Sequence, residues 1–314
     1  MAETTAFPPL EQSPSTDSTL VQRLTAECLG VAILVLVGCL TALQTDYDAV
    51  STALAFGLTL LALTVAFARI SGAHLNPAVS VASALSGRQS WRESGLYAAA
   101  QLVGGILGAL VLVVLMHGFD GYGTEVGAAA NSFGDEGSGY AGWAALLLEI
   151  VLTAIFVWVF LAVTDRRSTT PALAPLAIGV ALTVVYFAAN ALTGGSVNPA
   201  RSFGPALFSG GDAVLQVWVF VLGPLLGGLG AGAAYPALFG RDAAPVPGSG
   251  FSLPERAPRA ATPQPAQSAQ PAEPAPIIQD GWQWDPVAQQ WKPAEQPPGA
   301  PQQWPDGDGR TQIR

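Results

Sequence analysis

Apolar residues along this chain fall into six long runs separated by short polar stretches. The runs cover residues 24–43, 50–68, 95–116, 141–164, 173–192 and 213–239. Each run is close to the roughly 20 apolar residues that a transmembrane helix requires. Two shorter apolar runs, 77–85 and 199–208, would each reach only about 15 Å as helices, which is half of a bilayer. The pattern predicts an all-α membrane protein with six transmembrane helices and two re-entrant half-helices.

The same tripeptide, Asn-Pro-Ala, opens both short runs. Asparagine is a favoured N-cap and proline suits the first position of a helix, so each tripeptide predicts a helix start. The residues are Asn76, Pro77 and Ala78 in the first copy and Asn198, Pro199 and Ala200 in the second.

The two tripeptides belong to a longer duplication. Asn76 and Asn198 are 122 residues apart, and the same separation relates four further pairs: Glu27 and Glu149, Gly57 and Gly179, Gly105 and Gly227, and Gly108 and Gly230. We predict a repeat over about residues 22–117 and 141–240. Because each copy has an odd number of spans, the second copy enters the membrane from the opposite side. The half-helices then approach from opposite faces, and Asn76 and Asn198 meet near the midplane.

The composition fits a membrane protein. Charged residues make up 11% of the chain and hydrophobic residues 50%. The net charge of −9 gives no indication of nucleic-acid binding. The sequence has no recognisable metal-ligand cluster, nucleophile elbow or phosphate loop, so we expect no enzymatic activity, cofactor or metal.

Basic residues indicate the orientation. They flank one side of the predicted spans: Arg23, Arg69, Arg88, Arg92, Arg166, Arg167 and Arg241. The connections on the other side, 44–49 and 117–140, contain acidic residues but neither Lys nor Arg. By the positive-inside rule both termini are cytoplasmic. Residues 1–21 lack the features of a signal peptide, and we expect them to form a flexible cytoplasmic arm.

The C-terminal segment 241–314 differs in composition from the spans. It is rich in Pro, Ala and Gln and poor in aliphatic residues, which predicts a disordered cytoplasmic tail. Three tryptophans stand close together within it, Trp282, Trp284 and Trp291. This stretch either binds an unknown partner, rests on the membrane surface, or is inert.

Arg201 directly follows the second tripeptide. It is the one basic residue on the otherwise acidic side of the predicted membrane domain. A charged side chain within a membrane segment is costly and usually faces a watery interior. We therefore interpret Arg201 as a functional residue.

Together, the paired tripeptides, the arginine after the second one and the paired glutamates resemble the aquaporins, members of the major intrinsic protein family. The resemblance covers about residues 20–239 and implies a passive water channel of the cell membrane that excludes ions and protons and assembles as a homotetramer. An alternative within the family is a facilitator for glycerol or other small neutral solutes. A secondary transporter would also show inverted repeats, but coupling-ion ligands are expected at its mid-membrane site.

The resemblance also implies a selectivity filter, formed by Phe56, Tyr186, Gly195 and Arg201. Water-selective relatives resemble one another in having His where this chain has Tyr186, which leaves strict water selectivity open. Other positions matched to the family differ in whether they resemble water channels. Ser202, Ala206 and Phe220 are similar to water channels, whereas Val221 is not.

Three more polar residues are candidates for the site. Glu27 and Glu149 are acids within spans one and four, and we expect each carboxylate to accept hydrogen bonds from the backbone of a re-entrant loop. His74 precedes the first tripeptide. It either lines the cytoplasmic mouth and titrates near neutral pH, or packs as a neutral ring in the loop.

Overall fold

The computed structural model describes residues 18–123, 127–251, 277–280, 282–286 and 288–293. The chain forms two units, Met1–Leu253 and Pro254–Arg314. Among its described residues the first unit contains eight α-helices: α1 (Leu20–Gln44), α2 (Ala49–Ser71), α3 (Pro77–Ser86), α4 (Trp91–Met116), α5 (Gly142–Val163), α6 (Ala174–Thr193), α7 (Pro199–Ala206) and α8 (Gly211–Phe239).

The lengths of the helices match the predicted architecture. Within the part of the chain that the structure describes, six helices are long and apolar enough to cross a membrane: α1, α2, α4, α5, α6 and α8. Helices α3 and α7 have only 10 and 8 residues. The predicted fold of six spans and two half-helices is confirmed.

Helix α1 begins earlier than the apolar pattern indicates. Thr19 caps it, because its side chain accepts a hydrogen bond from the backbone N–H of Gln22 and the Gln22 side chain accepts one from the backbone of Thr19. The predicted flexible arm therefore extends too far at its C-terminal end, where Leu20 and Val21 are helical. The rest of that arm, 1–17, lies outside the described residues.

The packing of the helices follows the repeat. Helix α1 packs against α4 as α5 packs against α8, and α2 packs against α6 across the two halves. The half-helices are exchanged, since α3 lies against α8 and α7 against α4. At the α2–α6 crossing a Cβ on Gly57 would lie 2.6 Å from the Gly179 carbonyl, and one on Gly179 would lie 2.7 Å from the Gly57 carbonyl. These repeat-related glycines let the two halves approach closely.

The two ends of the helical domain differ in charge. We call the end where α1 begins and α8 ends the basic face; its arginines are Arg23, Arg69, Arg88, Arg92, Arg166, Arg167 and Arg241. The opposite end, the acidic face, is formed by the α1–α2 and α4–α5 connections and carries Asp46, Asp48, Asp120, Asp135 and Glu136. Between these faces the outer helix surfaces expose apolar side chains such as Val65, Val114 and Val184, which suits contact with lipid.

The tail differs from its predicted disorder in two places, and its residues 252–276 and 294–314 lie outside the described residues. Residues 241–251 follow α8 and pack along the basic face, where the Val246 N–H donates to the Gly87 carbonyl and the Gly250 N–H donates to that of Ala84. The second place lies in the other unit, where β1 (Ile278–Gln279), β2 (Trp282–Asp285) and β3 (Gln290–Pro293) form an antiparallel sheet. The composition predicted neither the packed residues 241–251 nor the sheet, because backbone hydrogen bonds to a neighbouring segment do not depend on residue type.

The small sheet explains the spacing of the tryptophans. Trp284 and Trp291 are paired directly across β2 and β3, and their ring centroids are 5.4 Å apart in an edge-to-face arrangement. Such aromatic cross-strand pairs stabilise short sheets. Asp285 and Lys292 add an ion pair at 3.6 Å.

Candidate functional site

Each half-helix begins as its sequence predicts. Asn76 and Asn198 have extended backbones and act as N-caps, and a proline occupies the first turn that follows. The Oδ1 atom of Asn76 accepts a hydrogen bond from the Ala78 N–H at 2.8 Å, and that of Asn198 accepts one from the Ala200 N–H at 3.0 Å. Their caps therefore fix both side chains in the same orientation relative to their helices.

The two asparagines also join the halves of the molecule. Nδ2 of Asn76 donates to the Val197 carbonyl at 2.7 Å, and Nδ2 of Asn198 donates to the Leu75 carbonyl at 2.8 Å. An amide group has two N–H donors, so each asparagine keeps a second one beyond this bond. Two donors from opposite half-helices thus remain for a passing molecule where α3 and α7 begin.

The loop before each half-helix has a matched, unusual backbone. Leu75 and Val197 both have φ of +48°, and the repeat-related pair Ala73 and Gly195 have φ of +48° and +65°. A positive φ is uncommon for residues other than glycine and is strained for bulky or β-branched side chains. The surroundings must supply enough interactions to hold these conformations.

Glu27 holds the first loop. The carboxylate is fully buried and accepts hydrogen bonds from the backbone N–H groups of His74 and Leu75, at 3.0 and 2.7 Å. It also accepts from the Ser71 hydroxyl at 2.6 Å and from Nε2 of Gln101 at 2.7 Å. Four donors around one carboxylate offset the cost of burying it.

Glu149 occupies the equivalent place in the second half. It is fully buried, and it accepts from the Val197 N–H at 2.9 Å and from the Thr193 hydroxyl at 3.0 Å. Val197 and Thr193 are the repeat partners of Leu75 and Ser71. Both glutamates thus anchor the strained residue whose carbonyl points at the opposite asparagine.

Arg201 is 2% exposed and lies on the acidic-face side of the paired asparagines. Its Nε atom donates to the Tyr186 hydroxyl at 3.2 Å, and its Nη1 atom donates to the Ala129 carbonyl at 3.0 Å. The guanidinium carbon lies 5.0 Å from the centroid of the Phe56 ring, within the range of a cation–π contact. These partners fix the guanidinium in one position.

The other residues predicted to accompany Arg201 lie in contact with it or with one another. The rings of Phe56 and Tyr186 are 4.4 Å apart at their centroids. Gly195 lies beside Tyr186, so that a Cβ added there would lie 3.0 Å from the ring. The bulk of the tyrosine therefore occupies the space that a side chain at position 195 would need.

His74 lies towards the basic face. Its ring nitrogens are 3.1 Å from the Ser80 hydroxyl and 3.5 Å from the Ser83 hydroxyl, and its ring stands edge-to-face with Tyr97 and Phe160. A hydroxyl either donates or accepts, so these contacts fit a neutral ring in either tautomer.

The chain that forms this site matches one protein family over most of its length. The family described as "MIP: Major intrinsic protein" matches residues 14–235. The chain belongs to the major intrinsic protein family. The Aquaporin Z of Photorhabdus laumondii is 40% identical over 228 residues, which cover 70% of this chain and 98% of that protein. The Aquaporin Z of Rhodopseudomonas palustris is 38% identical over 220 residues, covering 68% and 91%.

A solved structure shares the fold of this major intrinsic protein. The aquaglyceroporin from Plasmodium falciparum superposes with a TM-score of 0.62, covering 70% of this chain and 97% of its own, at 24% sequence identity. At that identity the likeness shows the fold alone.

Two residues in contact with the candidate filter residues have no counterpart in the sequence-based prediction. Both come from the α4–α5 connection. Ala129 supplies the carbonyl that accepts from Arg201, while Asn131 accepts from the Ser202 hydroxyl at 2.7 Å and donates to the Gly195 carbonyl at 3.0 Å. Asn131 is 3% exposed, but nothing in an irregular acidic loop distinguishes a buried asparagine from an exposed one.

At the basic face the site opens into a cavity of about 160 Å³. His74, Tyr97 and Phe160 line its inner side, and Gln89 and Asp242 are among the residues around it. Oε1 of Gln89 is buried and has no protein hydrogen-bond partner within the described part of the chain. The cavity has room for several water molecules, which are the natural donors to this oxygen.

Proposed function

We propose that this chain is a passive water channel that excludes ions and protons. The observation that carries the proposal is the joint placement of Phe56, Tyr186, Gly195 and Arg201 on one side of the paired asparagines. The identity of 40% with an Aquaporin Z supports it.

In this proposal the four residues form the selectivity filter. The hydrogen bonds of Arg201 to Tyr186 and Ala129 use two of the five N–H donors of the guanidinium, so donors remain for the oxygen of a passing solute. Its fixed positive charge opposes cations. The contact between the two rings, with the tyrosine against Gly195, makes the passage narrow, which favours water over larger solutes.

The paired asparagines supply the barrier to protons. The N-terminal ends of α3 and α7 each carry a partial positive charge of about half an elementary charge. The remaining amide hydrogens of Asn76 and Asn198 hold a central water as an acceptor from both sides. This orientation interrupts the aligned chain of waters that proton hopping requires.

Glycerol facilitation is the second candidate, and Gly195 is the residue that favours it. Because position 195 has no side chain, the filter admits a larger solute whenever the Tyr186 ring moves aside. Water and glycerol fluxes into proteoliposomes, measured by stopped-flow light scattering, separate the two functions. We expect fast water flux and slow glycerol flux. Equal acceleration of both over empty liposomes would favour the facilitator, and no acceleration of either would refute a channel.

The setting of the channel is part of the same proposal. We place it in the cell membrane with the basic face and both chain ends in the cytoplasm, following the distribution of arginines. We expect a homotetramer with one pore in each subunit. Protease protection in oriented vesicles tests the orientation, and native mass spectrometry tests the number of subunits.

A further inference from the structure

A segment beyond the last helix crosses the mouth of the site at the basic face. We call residues 241–251 the strap. Helix α8 ends at Phe239, and Gly240, with φ of +74°, turns the chain away from the helix axis. Asp242, Ala243, Ala244 and Val246 of the strap then line the outer side of the cavity of about 160 Å³.

The first anchor of the strap is the α5–α6 connection. The backbone N–H of Arg166 donates to Oδ2 of Asp242 at 3.0 Å. Next to it, Nη1 of Arg167 donates to the Phe239 carbonyl at 2.8 Å, which fixes the point where the strap leaves α8. The hydrogen bonds of this anchor join the strap to the α5–α6 connection and to the end of α8.

The second anchor lies across the mouth, at the α3–α4 connection. The N–H groups of Val246 and Gly250 donate to the carbonyls of Gly87 and Ala84, both at 2.8 Å. Trp91 binds the strap from the other side: its backbone N–H donates to the Gly248 carbonyl at 3.0 Å, and its indole N–H donates to the Gly250 carbonyl at 2.9 Å. The strap is thus fastened to two different connections, with the cavity between them.

The construction of the strap is suited to release. Residues 244–248 are exposed, and the side chain of Val246 is 39% exposed, so few apolar contacts hold this stretch in place. Segments with little buried apolar surface and accessible hydrogen bonds open at low free-energy cost. The strap is held mainly by Ser249, which is 7% exposed, and by the hydrogen bonds described above.

We propose that the strap is a gate, which narrows the basic-face mouth when both anchors are bound and widens it when either anchor is released. The proposal rests on the water-channel function proposed above. The alternative role for the second anchor is structural: it satisfies carbonyls at the C-terminal end of α3 and would stabilise that helix without affecting flow. The Asp242 anchor separates the two roles, since its hydrogen bond is to Arg166 in the α5–α6 connection and satisfies no carbonyl of α3.

The test compares full-length variants that differ in one anchoring group. Asp242→Ala removes the acceptor for Arg166, whereas Asp242→Asn keeps an acceptor oxygen. Val246→Pro removes the N–H that binds Gly87, whereas Val246→Ala keeps it. Water permeability per channel is measured in proteoliposomes by stopped flow, and limited proteolysis of the strap reports its release.

Removing one anchoring hydrogen bond shifts a closed-to-open equilibrium by about fivefold. We therefore expect Asp242→Ala and Val246→Pro to be cleaved faster in the strap and to conduct several times more water per channel than Asp242→Asn and Val246→Ala. Faster cleavage with unchanged permeability would overturn the gate and leave only the stabilising role. If Asp242→Ala and Val246→Pro conduct no water and neither does the wild type, the channel function itself is refuted, so the two failures are distinguishable.

Discussion

Leu75 and Val197 share a strained backbone conformation and each supplies a carbonyl to the other half of the molecule. Both have φ of +48°. The Leu75 carbonyl accepts from Asn198 at 2.8 Å, and the Val197 carbonyl accepts from Asn76 at 2.7 Å. The strain turns both carbonyls towards the centre of the site, so each half-helix is positioned by the loop of the opposite repeat.

Replacing Glu149 by glutamine should loosen the second loop. A carboxylate only accepts hydrogen bonds, whereas the glutamine amide sets its own N–H groups against one of the donors from Val197 or Thr193. We expect a loss of about 2 kcal/mol in the free energy of unfolding. Thermal denaturation in detergent, followed by circular dichroism, measures it. Asp212→Asn, at the exposed start of α8, is the matched control, and equal midpoints for the two variants would contradict the supporting role of Glu149.

Shortening Tyr186 should widen the proposed filter. The ring packs against Phe56 and fills the space beside Gly195, so Tyr186→Ala removes the bulk on that side. We expect glycerol permeability to rise about tenfold, equivalent to about 1.4 kcal/mol of barrier, while water permeability changes much less. Tyr186→Phe keeps the ring and loses only the hydroxyl that binds Arg201, so its glycerol permeability should stay low. If both variants conduct glycerol as the wild type does, Tyr186 does not limit the passage.

Replacing Arg201 by valine should admit ions. The side chain is buried and held by Tyr186 and Ala129, so its charge is fixed where the proposed filter lies. Without that charge the barrier to cations falls, and we expect ion or proton leak to rise about tenfold while water flow persists. Arg201→Lys keeps the charge and serves as the control. Proton leak is measured with a pH-sensitive dye in proteoliposomes. Equal leak in Arg201→Val and Arg201→Lys would contradict the role of the positive charge as a barrier.

The basic face should lose stability in acid through Asp165. The Arg167 side chain donates hydrogen bonds to both oxygens of this carboxylate, and this contact holds the pKa of Asp165 well below its usual range. The Arg167 backbone N–H and the Tyr235 hydroxyl also donate to this carboxylate, at 2.9 and 2.8 Å. Because the pKa is lower in the folded protein than in the unfolded one, the stabilisation is complete above the unfolded pKa of about 3.9.

The stabilisation by Asp165 is lost as the pH falls below that value towards the lower pKa of the folded state. We expect Asp165→Asn to melt below the wild type at pH 7, by about 2 kcal/mol of unfolding free energy, and this difference to shrink at pH 3. Thermal denaturation at both pH values measures the effect. A difference of the same size at both pH values would show that the charge of Asp165 is not responsible.

The sequence predicted the parts of the molecule that depend on residue type and spacing. Six apolar runs gave the spans, and the offset of 122 residues between Asn76 and Asn198 gave the inverted repeat. Glu27 and Glu149 were recognisable because an acid within an apolar span requires partners. In each case a side chain of unusual cost or a helix-starting signal marks the position.

The parts that the sequence did not predict depend on backbone groups. The carbonyl of Ala129 and the positive φ of Leu75 leave no mark on residue type. The same is true of the strap. Its Pro- and Gly-containing sequence is typical of an unstructured tail, and only the structure shows that its N–H groups bind the carbonyls of Gly87 and Ala84. The sheet of the second unit depends on a cross-strand pairing of Trp284 and Trp291, and composition alone contains no information on register.

The hydrogen bonds of the two loops impose an order on biosynthesis. Glu27 reaches Leu75 across 48 residues, all within the first repeat, so this bond is available as soon as that repeat has been made. The Asn76 amide finds its acceptor, Val197, 121 residues further on. A ribosome must therefore deliver Val197 in the second repeat before the Asn76 amide can bind its acceptor, so the centre of the channel cannot form from the first repeat alone.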